Sequence, residues 1–410
     1  RPAFRRAAFE LSEVASVISK SILDRLFVRW LFTLASLVGC TNFSALAQER
    51  ATPSITRGQG TRVDVQHLSL NLRFDERERR AHGVATLRLA PTEPTRGIAL
   101  DAAKLAIESV TRADGEKLDF RDDGSDLAGG LFIRLDRPYG RDEELTIVIH
   151  YSTRWVNEAD PNNLWGSEGK GLRFFRPSST EPVKRRQIWS HGFPTANRYL
   201  FPGHDDPADL RTTEIKLTVP SPLMGIANGT LIETQVHDDG TRTFHWRMDQ
   251  PHANHQTAIV VGEFKPIESE WEGIPLLSYG YPDELEAVAA TTVRLPDMLR
   301  FFSQKTGLRY PFASYKQVFV QDYPWGAGNA SGSTLTENMI DDARIHEDYR
   351  WLWDGLEAEG VAHQWFGVTT SARDLRHVWL TRGFAHYFDG LYNENKNGRR
   401  EFLLWHRAGD

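Results

Sequence analysis

Residues 356–367 read LEAEGVAHQWFG, and this stretch decides how the rest of the chain is read. Glu359 and His363 stand four apart, so on a helix they lie one turn from each other on a single face. A helix of the H-E-x-x-H kind carries a zinc-ligating histidine at each of those two places, with a glutamate just after the first. Here Glu359 takes the place of the first histidine, Gly360 takes that of the glutamate, and His363 keeps that of the second.

VWLTRGFAHYFDGLYNEN (378–395) reads as another helix, with Trp379, Leu380, Phe384, Tyr387, Phe388 and Leu391 supplying apolar faces. Eighteen residues separate His363 from Arg382, and His386 follows Arg382 by four, on the same helical face. Upstream, residues 341–367 read as one or two helices and KQVFVQ (316–321) as a strand. In residues 281–307, Leu285, Val288, Ala289, Thr292, Leu295 and Leu299 recur at helical spacing, with Gly307 as the stop. Trp351, Trp353, Trp365 and Trp379 read as core rather than as a ligand cage. Asp389 and Glu337 read as surface or capping residues.

The earlier half has a different period. In LSLNLRF, Leu68, Leu70, Leu72 and Phe74 alternate with polar residues, the signature of a half-buried strand. GVATLRLA, LFIRLD, ELTIVIHYS, TEIKLTVP, RTFHWRM and TAIVVGEF continue it, with DDGS and HDDGTR as turns between them. The expectation is an α+β chain, with an antiparallel β domain over 60–268 and a mainly helical domain over 275–410.

The chain has 410 residues, 40% apolar and 25% charged, as in ordinary globular proteins. A net charge of −6 and no basic stripe exclude nucleic acid as an expected partner. Residues 1–47 are set apart. Arg25 and Arg29 precede WLFTLASLVG (30–39), an apolar run shorter than the about 20 residues a membrane helix needs but suited to a signal-peptide core. Ala45-Leu46-Ala47 before Gln48 fits ordinary signal cleavage, whereas LVGC ending at Cys40 resembles a lipobox. Both stay open. Cys40 is the only cysteine, so no intrachain disulfide is possible. The expected setting is exported, periplasmic or attached to the cell envelope, with Cys40 as the point of membrane attachment.

From about residue 60 to the end, these segments in order resemble the aminopeptidase N family of zinc metallopeptidases. The family's FPxxDxP and xxNGxL phrases are matched by Pro202, Asp205, Pro207, Asn228 and Gly229. RFFSQKTGLRYPFASYKQVFVQDYPWGAGNAS is similar to the approach to its exopeptidase loop, and AHQWFG with HVWLTRGFAHYF to its two zinc-bearing helices. The resemblance implies an N-terminal sheet domain, part of a thermolysin-like domain, zinc, and a peptide substrate. It also implies roles by position: Glu359, His363 and Arg382 in the three ligand places, Gly360 in that of the base, Gly328 and Asn329 in the amine-anchoring pair. His191 and Phe193, in SHGF, stand where the family has a second polar segment.

Those substitutions set the functional expectation. A carboxylate ligates zinc, so Glu359 alone is tolerable. Gly360 removes a base worth typically 10²–10⁴-fold in rate. Arg382 offers donors but no lone pair, and its charge repels a divalent cation. The chain is therefore read as a catalytically inactive, peptide-binding or scaffold homologue without zinc, in which Glu359 and Arg382 form an ion pair in place of the metal. The alternative is a zinc-dependent exopeptidase whose site is rearranged around Glu359, His363 and a rescuing His386. A third reading is a fragment of a decayed peptidase gene.

Overall fold

The computed structural model describes residues 63–124, 130–154, 171–323, 325–400 and 402–403. The apolar run at 30–39, Cys40, the Ala47 cleavage position and Asp410 lie outside the described residues. No helix among the described residues is long and apolar enough to cross a membrane.

Strands come first. In chain order they begin with β1 (Val63–Asp75), β2 (Arg80–Pro91), β3 (Thr95–Leu100), β4 (Leu105–Arg112) and β5 (Phe120–Asp122). Then follow β6 (Leu131–Tyr139), β7 (Leu145–Thr153), β8 (Leu172–Phe175), β9 (Gln187–Ser190) and β10 (Arg211–Pro220). β11 (Met224–Ala227), β12 (Thr230–Val236), β13 (Thr241–His252) and β14 (Ile259–Gly262) complete the first domain. They form a seven-stranded sheet ordered β12-β13-β10-β1-β2-β7-β4, a four-stranded sheet β11-β14-β9-β8 and a three-stranded sheet β3-β6-β5.

The alternation in LSLNLRF sets the register. Leu68 pairs with Leu87 and Leu70 with Ala85, and all four side chains are fully buried. A slip by one residue would turn that set to solvent. One apolar core runs from Val63 to Tyr323 and joins the sheets. The pairing is not wholly antiparallel, because β1 and β10 run parallel at the middle of the large sheet. Strand alternation fixes which face is buried, not which neighbour a strand chooses.

The second part opens on β15 (Lys265–Trp271) and β16 (Ile274–Gly280), followed by β17 (Tyr315–Val320), β18 (Gly326–Asn329) and β19 (Gly332–Thr336). These form one five-stranded sheet in the order β15-β16-β17-β19-β18, so β18 is an edge strand. Against it lie α1 (Leu285–Thr291), α2 (Leu295–Thr306) and α3 (Ala343–Ala362), and α4 (Val378–Asn397) packs on α3. The helical run expected over 285–306 is broken by a 3-10 turn at Thr292–Arg294. Pro296 in the first turn of α2 explains the break, since proline is tolerated there and not in a helix interior. Gly307 ends α2 at φ 71°.

The four tryptophans do not form one core cluster. Trp365 is buried among Phe302 and Tyr310, whereas Trp379 is 65% exposed and Trp351 is also exposed. On α4, Trp379, Leu380, Phe384 and Tyr387 are exposed, and the helix packs through Ala385, Phe388, Leu391 and Tyr392. Its sequence is apolar nearly all round, and only the fold decides which stripe is covered.

Candidate functional site

α3, a single helix of 20 residues, carries the stretch as far as Ala362, and His363 caps its end. Its first turn is capped by Asp342, whose carboxylate accepts from the backbone N–H of Arg344 at 2.9 Å and of Ile345 at 3.1 Å. Ala358, Val361 and Ala362 bury its core side. Beyond its end, the Gln364 amide donates to the carbonyls of Asn329, Gly332 and Gly360 at 3.0–3.2 Å, tying the helix to the β18–β19 hairpin.

Glu359 and His363 are brought together. Glu359 Oε1 lies 3.8 Å from His363 Nε2. Burial pushes the Glu359 carboxyl up, but the His363 ring, with the charges of Arg382 and His386, outweighs it and the net shift is downward. His363 Nδ1 lies 3.0 Å from the Phe366 carbonyl oxygen, so that nitrogen carries the proton and donates.

The two glycines that replace functional side chains sit in tight contacts. A Cβ built on Gly360 would stand 2.5 Å from Ser333 Oγ, and that hydroxyl is itself bonded to Tyr315 at 2.8 Å. A Cβ on Gly328 would stand 2.4 Å from His363 Cβ. Neither place accepts a side chain unless its neighbours move. Asn329, beside Gly328, turns its amide to Thr334 Oγ1 at 3.0 Å.

Arg382 does not meet the expectation. Among the described residues it has no carboxylate within 4.0 Å, so the Glu359–Arg382 ion pair is not made. Its guanidinium instead lies over the Phe193 ring, 5.2 Å from the centroid. Arg382 is exposed on α4, and His363, at the C-cap of Glu359's helix, lies nearer the carboxylate. Asp389 corrects a second expectation. It is fully buried rather than at the surface, with Oδ2 3.0 Å from His386 Nδ1. That carboxylate raises the His386 ring above its ordinary value, and Glu359 adds to it. Glu337 is half-buried at the start of the 3-10 turn Glu337–Met339, where burial pushes its carboxyl up.

The first domain supplies the facing wall. His191 and Phe193 follow β9, and His191 makes an edge contact with Tyr323 at 5.9 Å. Phe193 meets His255 edge-on at 5.8 Å. Behind His255 a buried network holds its segment. Asp205 accepts from Arg198 at 2.7 Å and from the Asn254 amide, and Arg211 donates to Asn254. Burial, with Asp101 adding, pushes Asp205 up to about 6. The FPxxDxP phrase thus builds the support of the wall. Burial lowers the His255 ring to about 4, and His363, Arg211, Arg382 and His191 reinforce the shift. His255 and Tyr323 were missed in the sequence. Their only signals were the HANHQ run and a tyrosine two residues before Trp325.

Asn228 joins the two walls. Its amide donates to the carbonyls of Gln256 at 2.9 Å and Ala330 at 2.8 Å, and it accepts from Ala258 N–H at 2.7 Å. Gly229 follows at φ 78°, where a Cβ would overlap the Arg247 carbonyl oxygen. The zinc set implied by position does not fit. Glu359 and His363 offer lone pairs, but Arg382 offers none and points to Phe193.

Residues 64–254 match the Peptidase M1 N-terminal domain and residues 292–408 the Peptidase family M1 domain. Aminopeptidase N of Acetobacter pasteurianus is 23% identical over 367 residues, covering 87% of this chain and 99% of that protein. Transcription initiation factor TFIID subunit 2 of Gallus gallus is 27% identical over 239 residues, 57% of this chain. The chain spans only 20% of that relative's length. A crystal structure of a two-domain M1 zinc metallopeptidase mutant bound to L-arginine has a TM-score of 0.66 at 21% identity. The likeness covers 82% of this chain and 72% of that one, and it concerns the fold.

Proposed function

The chain belongs to the M1 peptidase family, and from that premise we propose that it is a non-catalytic member whose cleft holds peptide segments without cleaving them. The observation that carries this reading is the closure of positions 360 and 328. A general base needs a side chain within reach of water, and an amine anchor needs one at the mouth of the cleft. Gly360 abuts Ser333 and Gly328 abuts His363, each closer than a real Cβ comes to a neighbour. The chemistry is thus absent together with the space for it.

What supports binding is the surface that remains. β18 pairs with β19 on one side, and among the described residues no strand pairs with its other side, where an extended segment would add. The facing wall of His191, Phe193 and His255 offers aromatic and hydrogen-bonding groups to such a segment. Relatives named as aminopeptidases and one named as a transcription factor subunit share this sequence family, so membership does not by itself assign hydrolysis. An exported setting rests on the apolar run at 30–39 and its flanking arginines alone.

The test is hydrolysis of aminoacyl-arylamides across a zinc titration. The expected rate equals background at every concentration. Chelator-sensitive turnover that survives purification would favour the rearranged-site peptidase, for which the nearness of Glu359 to His363 and His386 speaks.

A further inference from the structure

We propose that the exposed N-terminal halves of α3 and α4 form a docking surface for a second copy of this chain, paired crosswise about a two-fold axis. On α4, Leu380, Phe384 and Tyr387 recur at helical spacing with Trp379 beside them, and all four are 40–65% exposed. Among the described residues nothing stands within 4 Å of the place a Cβ on Gly383 would take, so a facing helix can come close there. On α3, Ile345 and Tyr349 are 43% and 50% exposed, and Leu352 continues their stripe. Single apolar residues at a surface are ordinary, whereas contiguous apolar stripes mark interaction sites.

Charge decides which surface fits which. Asp341 stands just before α3 and Asp348 lies within its stripe, and among the described residues neither has a cationic side chain within 4.0 Å. The α4 stripe opens instead on Arg373 and Arg376, set against the single carboxylate of Asp374, and Arg382 flanks it. The first stripe is acidic and the second basic, so unlike stripes attract and like stripes repel.

The complementary stripe has to come from another copy. α3 and α4 run antiparallel. Glu359, near the end of α3, lies by His386, while the charges of Asp354 and Glu357, earlier on α3, act on Tyr392, later on α4. The acidic stripe therefore stands at one end of the helix pair and the basic stripe at the other. A two-fold axis lays each acidic stripe on the basic stripe of the other copy, and the same contact is made twice. The proposal is independent of whether the cleft binds peptide.

The experiment is sedimentation of the purified full chain over a range of protein and salt concentrations. Twice the mass of one chain is expected, with salt promoting dissociation. Trp379→Asp, at a side chain 65% exposed, should weaken the dimer about 30-fold or more and leave thermal unfolding of the diluted monomer unchanged. Asp348→Arg and Arg376→Asp should each weaken it about tenfold. Mixing those two variants should restore it, because both contacts between unlike copies then join opposite charges. A single-chain mass at every concentration overturns the proposal. So does a dimer indifferent to Trp379→Asp, or a mixture no tighter than its components. A monomer that sediments with anionic phospholipid vesicles would assign the α4 stripe to a lipid surface, and overturns it equally.

Discussion

At position 360 the sequence lacks a carboxylate, and the structure shows why a single reversion does not bring it back. The Cα of Gly360 sits so close to β19 that a Cβ would stand 2.5 Å from Ser333 Oγ. Gly360→Ala is therefore expected to destabilise the chain by roughly 1–3 kcal/mol, the usual cost of overpacking. Adding Ser333→Gly should recover most of that loss. Denaturant unfolding of the single and double variants checks it, and additive costs would contradict the contact. The places of residues 359, 360, 363 and 382 were legible because the family resemblance assigns them by position. Their contacts were not. The Glu359–Arg382 pair was argued from charge, yet Phe193, 189 positions away in the chain by its number, takes the guanidinium. Asp389 was read as surface because helical spacing cannot say which neighbour covers a given stripe.

At the scale of elements, α3 depends on its first turn. Much of its N-terminal half is exposed, and Asp342 satisfies two of the backbone N–H groups that no helix can pair internally. Asp342→Ala is expected to cost about 1 kcal/mol. Asp342→Asn, which keeps an accepting oxygen, should cost far less. Thermal unfolding separates the two, and equal losses would show that the cap is not the cause. The elements themselves were largely legible. Period-two runs gave β1, β2, β7, β10 and β13, and helical spacing gave α2 and α4. Local pattern missed the parallel β1–β10 pairing, which is a choice of neighbour. It also missed the break before α2, although Pro296 stood in the sequence to signal it.

The whole molecule carries a buried histidine at the end of β13. His252 is fully buried, and desolvation, with repulsion from Arg211 and His255, lowers its ring to about 4. The unfolded chain holds the same ring at the ordinary value of about 6.5. As pH falls from about 6.5 to about 4, the unfolded state takes up the proton first and stability is lost; below that the loss is complete. Its size is on the order of 3 kcal/mol. Glu357 works the other way. Burial raises its carboxyl to about 8, so its contribution is lost as pH rises through that value. The difference between the native chain and His252→Gln isolates the histidine. That difference is expected to grow between pH 4 and 6.5 and to stay flat above, and a flat difference throughout would remove His252 as the cause.

If the cleft accepts peptide and leaves it whole, binding and intact recovery occur in the same sample. The purified chain is mixed with a set of peptides and zinc, binding is followed by fluorescence anisotropy, and the same peptides are weighed by mass spectrometry after prolonged incubation. The expected result is saturable binding of peptides recovered at their full mass. Loss of amino-terminal residues, stopped by a chelator, would contradict it.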